Sequence, residues 1–181
     1  MKTMRLFPLE LKRLLQSRLT WLMMALAVLS PVLGLVLYKP ATSTTMLSMY
    51  LVNPAIAGGV AGAILFGLLT IFELDRACRS RVDILTDAVV SPLTTALTRL
   101  LALLTASVLT AGITMLVWLP ISAWLIGSVF TGANYVLAYL LLMGLALPLG
   151  ILAAAAAYQF TRRADLSSVL FIAFCAMSLS V

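Results

Sequence analysis

Glu73, Asp75, Asp83 and Asp87 stand closer together than any other acids in this chain, and four carboxylates at such spacing could hold a hard cation. Arg76, Arg79 and Arg81 interleave with them, however, and Asp75–Arg79 and Arg79–Asp83 fall at the i,i+4 spacing of a helix face. Mutual salt-bridging on a solvated helix is the simpler chemistry. The chain has no histidine, and its two cysteines, Cys78 and Cys175, lie in a charged and an apolar stretch respectively. That excludes the usual zinc constellations and argues against a disulfide. No phosphate-cradling loop of Walker type is present, so nucleotide hydrolysis is not expected on this chain. Intramembrane proteolysis is disfavoured as well, because the long apolar runs carry no acid or base. No catalytic, cofactor-binding or metal-ligating residue is therefore expected.

What positions the charged island is the apolar chain around it. Eight of the eighteen charged residues lie between Glu73 and Arg99, while Pro40–Phe72 and Leu100–Thr161 carry none. Each charge-free run exceeds the ~20 apolar residues a helix needs to cross a bilayer. Residues are 63% hydrophobic and 10% charged, against about a quarter charged in soluble domains, and mean hydropathy is +1.14. These figures predict an all-α polytopic membrane protein with four to five transmembrane helices.

Residues 1–20 form a leader in which Leu11, Leu14, Leu15 and Leu19 recur at helical spacing while Lys12 and Arg13 fall off that face. The pattern is that of an interfacial amphipathic helix, with Pro8 suited to its first turn. A signal peptide would share the basic start, but no small-residue cleavage site follows. Residues 21–72 hold the first two spans, about Leu22–Tyr38 and Leu51–Phe72, with Pro31 expected to kink the first. On the second, Ala55, Gly59, Ala63 and Gly67 recur every four residues, a stripe that lets another helix backbone approach, within the subunit or across a subunit interface. Residues 100–181 hold spans at about Leu100–Trp124 and Tyr135–Phe160, a turn at Gly127–Asn134, and a last apolar run, Leu166–Val181. That run is short for a span, so the chain reads as the front part of a longer protein.

Lys39 alone of the twelve Lys and Arg residues lies on the side opposite the leader. The positive-inside rule then puts the N-terminus and the island in the cytoplasm. Basic residues flanking spans set topology and meet anionic lipid, which accounts for the net charge of +6 without nucleic acid.

The island, 73–99, divides at Ser91-Pro92, where proline disfavours helix in the residue before it and can itself open the next one. A short surface element held by two membrane helices can pass a push into both, though an ordinary loop would look the same by spacing. The order of amphipathic leader, two spans, a loop opening with Glu73 and Arg76, then Leu85, Asp87, Ser91-Pro92-Leu93 and Arg99 resembles the ABC-2 type transporter permease family. The resemblance covers nearly the whole chain. It departs from the family pattern in a longer loop and a missing glycine after the acid–arginine start. It implies an interfacial elbow helix, six spans in the complete permease, and a coupling element made here of Arg81, Asp87, Val89, Val90, Ser91, Pro92 and Leu93. It further implies a cytoplasmic ATP-binding subunit holding ATP and Mg, a second permease half in a homo- or heterodimer, and residence in a bacterial cytoplasmic membrane. Two other classes stay open: a membrane scaffold or assembly subunit with no transport path, and, less favoured, an integral membrane enzyme.

Orientation is directly testable. A cysteine replacing Thr44 should react with an impermeant maleimide added to intact cells, whereas native Cys78 should react only after lysis. Labelling of Cys78 from outside would invert the topology.

Overall fold

The computed structural model describes residues 3–37, 41, 45–79 and 92–179, and all regular structure among them is helical. In chain order these are α1 (Thr3–Gln16), α2 (Arg18–Leu29), α3 (Pro31–Val36), a π-turn (Ser48–Val52) leading into α4 (Asn53–Arg79), α5 (Pro92–Ile126), a 3-10 turn (Gly127–Val129), α6 (Gly132–Tyr139), a second π-turn (Leu140–Gly144), α7 (Ala146–Thr161) and α8 (Ala164–Leu179). Four stretches are long and apolar enough to cross a membrane: Arg18–Val36, Ser48–Cys78, Leu93–Val129 and Gly132–Thr161. The protein is an all-α polytopic membrane protein.

Several boundaries differ from expectation, each for a local reason. The leader helix stops at Gln16, and extended Ser17 separates it from α2, so Arg18 and Leu19 belong to the first span. Pro8 lies inside α1 rather than in its first turn. The first span breaks at Ser30-Pro31. Proline has no N–H to offer the carbonyl of Ala27, which instead accepts from the Ser30 hydroxyl at 2.6 Å. The turn after α5 closes by Thr131, with Gly127 at φ +66°, a left-handed geometry that glycine adopts at little cost. Pro120 leaves α5 unbroken.

The interior holds small and hydroxyl-bearing residues while the exterior is greasy, as a lipid-solvated bundle requires. Trp124, Phe160 and Leu116 face outward; Thr70, Ser107, Thr110, Thr114 and Ser122 are buried. Thr70, Thr110 and Thr114 donate to the carbonyl of Phe66, Ala106 and Thr110, each four residues earlier, at 2.7–2.8 Å. With the hydroxyl hydrogen satisfied within its own helix, each packs like a small apolar group. Longer-range bonds cross between helices: the Trp118 indole donates to the carbonyl of Val28 at 2.8 Å, and the Tyr135 phenol to that of Met115 at 2.6 Å.

The largest helix–helix interface joins α4 to α7, which run parallel. At its centre the predicted small-residue stripe meets backbone. A Cβ on Gly59 would strike the carbonyl of Leu142, and one on Gly150 would stand 2.5 Å from the carbonyl oxygen of Ala63. Farther along, Gly67 lies against the ring of Phe171 on α8, and Ala55 is fully buried. All four stripe residues thus lie at packed positions within one chain.

Gly59→Ala should lower thermal stability in detergent by about 1–3 kcal/mol, the usual cost of overpacking, because backbone cannot rotate away as a side chain can. Gly112→Ala, where an added Cβ meets nothing within 4 Å, is the control. Equal melting temperatures for the two variants would contradict this packing.

Candidate functional site

Among the described residues, charge gathers at one end of the bundle. There α1 lies across the beginning of α5 and the corner of α2, with Leu14 buried and Phe7, Leu11 and Leu15 packed against the same core. Leu11, Leu14 and Leu15 of the leucine face read from the sequence therefore rest on protein, while Leu9, on the other side, and Leu19, already in α2, are exposed. The Trp21 indole fastens the corner by donating to the carbonyl of Leu15 at 2.6 Å.

Above this apolar contact lies a network of ion pairs that the sequence did not reveal. Glu73, near the end of α4, has a side chain only 8% exposed, and its Oε2 accepts from Nη2 of Arg13 at 3.0 Å. Its other oxygen faces Nη1 of Arg76 at 3.6 Å. Glu10 pairs with Arg99, near the start of α5, at 3.6 Å and with Arg13 at 2.8 Å. The Glu10–Arg13 pair is electrostatic, since the Nε–H is not aligned on the carboxylate. The amphipathic helix is thereby bound to both arms that carry the island, through Glu73 on one and Arg99 on the other.

Local sequence explains the placement. Glu10 falls on the same face as Phe7 and Leu14, one helical turn from each, so packing that face down also carries its carboxylate to the mouths of α4 and α5. A buried carboxylate is tolerable only when paired and hydrogen-bonded, and Arg13 and Arg76 supply both conditions. The one hint available beforehand was an acid standing in an otherwise apolar stripe.

Of the coupling residues expected from the resemblance, Arg81, Asp87, Val89, Val90 and Ser91 lie outside the described residues, as does the Arg79–Asp83 pair. Pro92 is the first residue of α5, and Leu93 beside it is 71% exposed. Asp75 lines a polar cavity with Cys78 and Tyr158. Among the described residues no group of His, Cys, Asp and Glu has the arrangement of a metal site. No family model, no curated protein and no solved structure matches this chain.

If α1 is held by protein contact, Leu14→Ala should destabilise the protein by about 2–4 kcal/mol, as large-to-small substitutions in packed cores do. Leu9→Ala should leave the melting temperature within about 1 °C, in keeping with a surface substitution. The reverse ranking would mean that α1 floats free on the bilayer.

Proposed function

We propose that this chain is the membrane-spanning permease subunit of an ATP-binding-cassette exporter. It works with a separate cytoplasmic ATP-binding subunit, which holds ATP and Mg, and with a second permease half, and has no enzymatic activity of its own. The orientation that suits this function puts the N-terminus and the charged end in the cytoplasm of a bacterial cell.

The observation that supports the reading is the linkage at the charged end. The island departs from one long helix and returns into another, and both, near their mouths, are joined by ion pairs to the same amphipathic helix. A push delivered to the tip of the island by a closing pair of ATPases would move α4, α5 and α1 together. Rigid elements with shared buried contacts transmit displacement; a free loop dissipates it.

In this reading Val89, Val90 and Leu93 enter a groove on the ATPase, with Arg81 and Asp87 at the rim and Ser91-Pro92 setting the bend. Apolar anchors at the centre of an interface carry most of the energy, and rim charges tune association. Lipid, peptide, drug or polysaccharide cargo all fit this reading, and spans that offer so few polar side chains favour an amphiphile. A scaffold subunit would need no such linkage.

Val90→Asp should release the ATPase or uncouple its hydrolysis from transport, with membrane insertion unchanged; Asp87→Asn should have a milder, salt-sensitive effect. The check is co-purification of an ATPase in mild detergent. Equal ATPase recovery and equal transport from Val90→Asp and parent would overturn the coupling assignment.

A further inference from the structure

The ion pairs that hold α1 leave two of their own atoms without a hydrogen bond. Oε2 of Glu10 and Nε of Arg13 are both shut off from solvent, and neither has a hydrogen-bonding partner among the described residues. The Arg13 side chain reaches solvent elsewhere along its length, but its Nε does not. The two atoms stand 2.8 Å apart, yet the Nε–H is not directed at the carboxylate oxygen. The other oxygen of Glu10 lies 3.6 Å from Arg99, an electrostatic contact too long for a hydrogen bond. Charged groups shut off from water are tolerated only when their hydrogen-bonding capacity is met.

The same residues border a small pocket. It measures about 10 Å³ and is lined by Glu10, Arg13, Glu73 and Arg99 together with Leu14 and Ala102, among others. One water molecule needs roughly 10–15 Å³ and about two to four polar partners, so the pocket suits a single water and no larger guest. Its charge points the same way. Two carboxylates and two guanidinium groups line it, which leaves no net charge for an ion to neutralise. A sodium ion would face both arginines, and a chloride ion would face both carboxylates.

We propose that this pocket is a binding site for one internal water, held as a fixed part of the elbow. The water accepts from the Nε–H of Arg13 and donates one hydrogen to Oε2 of Glu10 and the other to the carboxylate of Glu73. Such a bridge is nearly as good as a direct hydrogen bond, and it gives the two sides of the elbow different character. Toward α4 the helix is fastened by the direct bond from Arg13 to Glu73 at 3.0 Å. Toward α5 the contact of Glu10 with Arg99 is electrostatic, and the water keeps Glu10 satisfied. A water can change partners where a direct bond would have to break, so α1 is pinned to α4 and has play against α5. This inference holds whatever the chain transports.

The test is nuclear magnetic resonance of the whole chain, isotope-labelled at arginine, in detergent micelles. A rotating-frame measurement separates dipolar contact with a held water from proton exchange with solvent, because the two cross-peaks differ in sign. The Arg13 Nε–H, assigned by its loss in Arg13→Lys, should show the dipolar peak at the water frequency, and that of exposed Arg76 should show exchange alone. Ala102→Val adds two methyl groups at the pocket wall. It should remove the peak and lower the melting temperature, because evicting the water strands Glu10 Oε2 and Arg13 Nε, whereas filling a dry void would raise it. Glu10→Leu, which removes the acceptor, should also abolish the peak while the Trp21 indole signal keeps its position, the mark of a docked α1. Where Glu10→Leu undocks α1, Ala102→Val decides alone. Absence of the dipolar peak in the parent, its survival in Ala102→Val, or a higher melting temperature for that variant would overturn the proposal. Loss of the peak when chloride replaces nitrate in the buffer would overturn it too, by making an anion the guest.

Discussion

The buried carboxylate of Glu73 constrains the whole charged end. It sits near the boundary of a span, where water is scarce, and is 8% exposed. Leaving it unpaired would cost several kcal/mol, so a cation has to come to it. Arg76, one turn away, is exposed and at 3.6 Å; Arg13 makes the direct hydrogen bond at 3.0 Å. Arg13 can reach only if α1 lies flat against the bundle, which buries Leu14 and brings Glu10 to Arg99. One electrostatic requirement thus sets the position of the amphipathic helix, and through it the relation between α4 and α5.

Deeper in the bilayer the problem changes from charge to backbone approach. Apolar burial gives helices little reason to associate when the solvent is itself apolar. Close packing takes over, and α4 meets α7 through glycines that leave carbonyl groups room. Buried Thr70, Thr110 and Thr114 bond within their own helices and so add hydroxyls to the interior with their hydrogens matched. The closely packed α4–α7 pair is the rigid arm on which Glu73 is carried, so packing in the membrane and pairing at its edge work on the same element.

Much of this fold was legible because hydrocarbon imposes simple rules. Charge-free length gave the spans, and the four-residue repeat at Ala55, Gly59, Ala63 and Gly67 pointed to a packed face. Proline positions were informative only in part: Pro31 breaks its helix, whereas Pro120 does not, since a helix among neighbours can absorb the missing bond. The leader was legible as an amphipathic helix, though not in what its apolar face meets. Its leucine stripe fits an interfacial helix and a helix docked on protein equally well, because periodicity states which face is apolar and not what covers it. The ion pairs were hidden for a related reason: Arg13 and Glu73 are far apart in sequence, and spacing arguments see only neighbours. The island's own i,i+4 spacings could be read, while the contacts that bind its ends to the leader could not.

The central claim is that Arg13 and Glu73 act as a pair rather than as two separately tolerated charges. A double-mutant cycle with Arg13→Gln, Glu73→Gln and the combination, followed by thermal unfolding in one detergent, measures that directly. Residues in one buried network show coupling of about 0.5–3 kcal/mol, and distant ones add independently. The account predicts coupling above about 1 kcal/mol, with the double variant more stable than Arg13→Gln alone, since the latter strands the carboxylate. Strict additivity, with Arg13→Gln costing the same whether or not Glu73 is present, would contradict it.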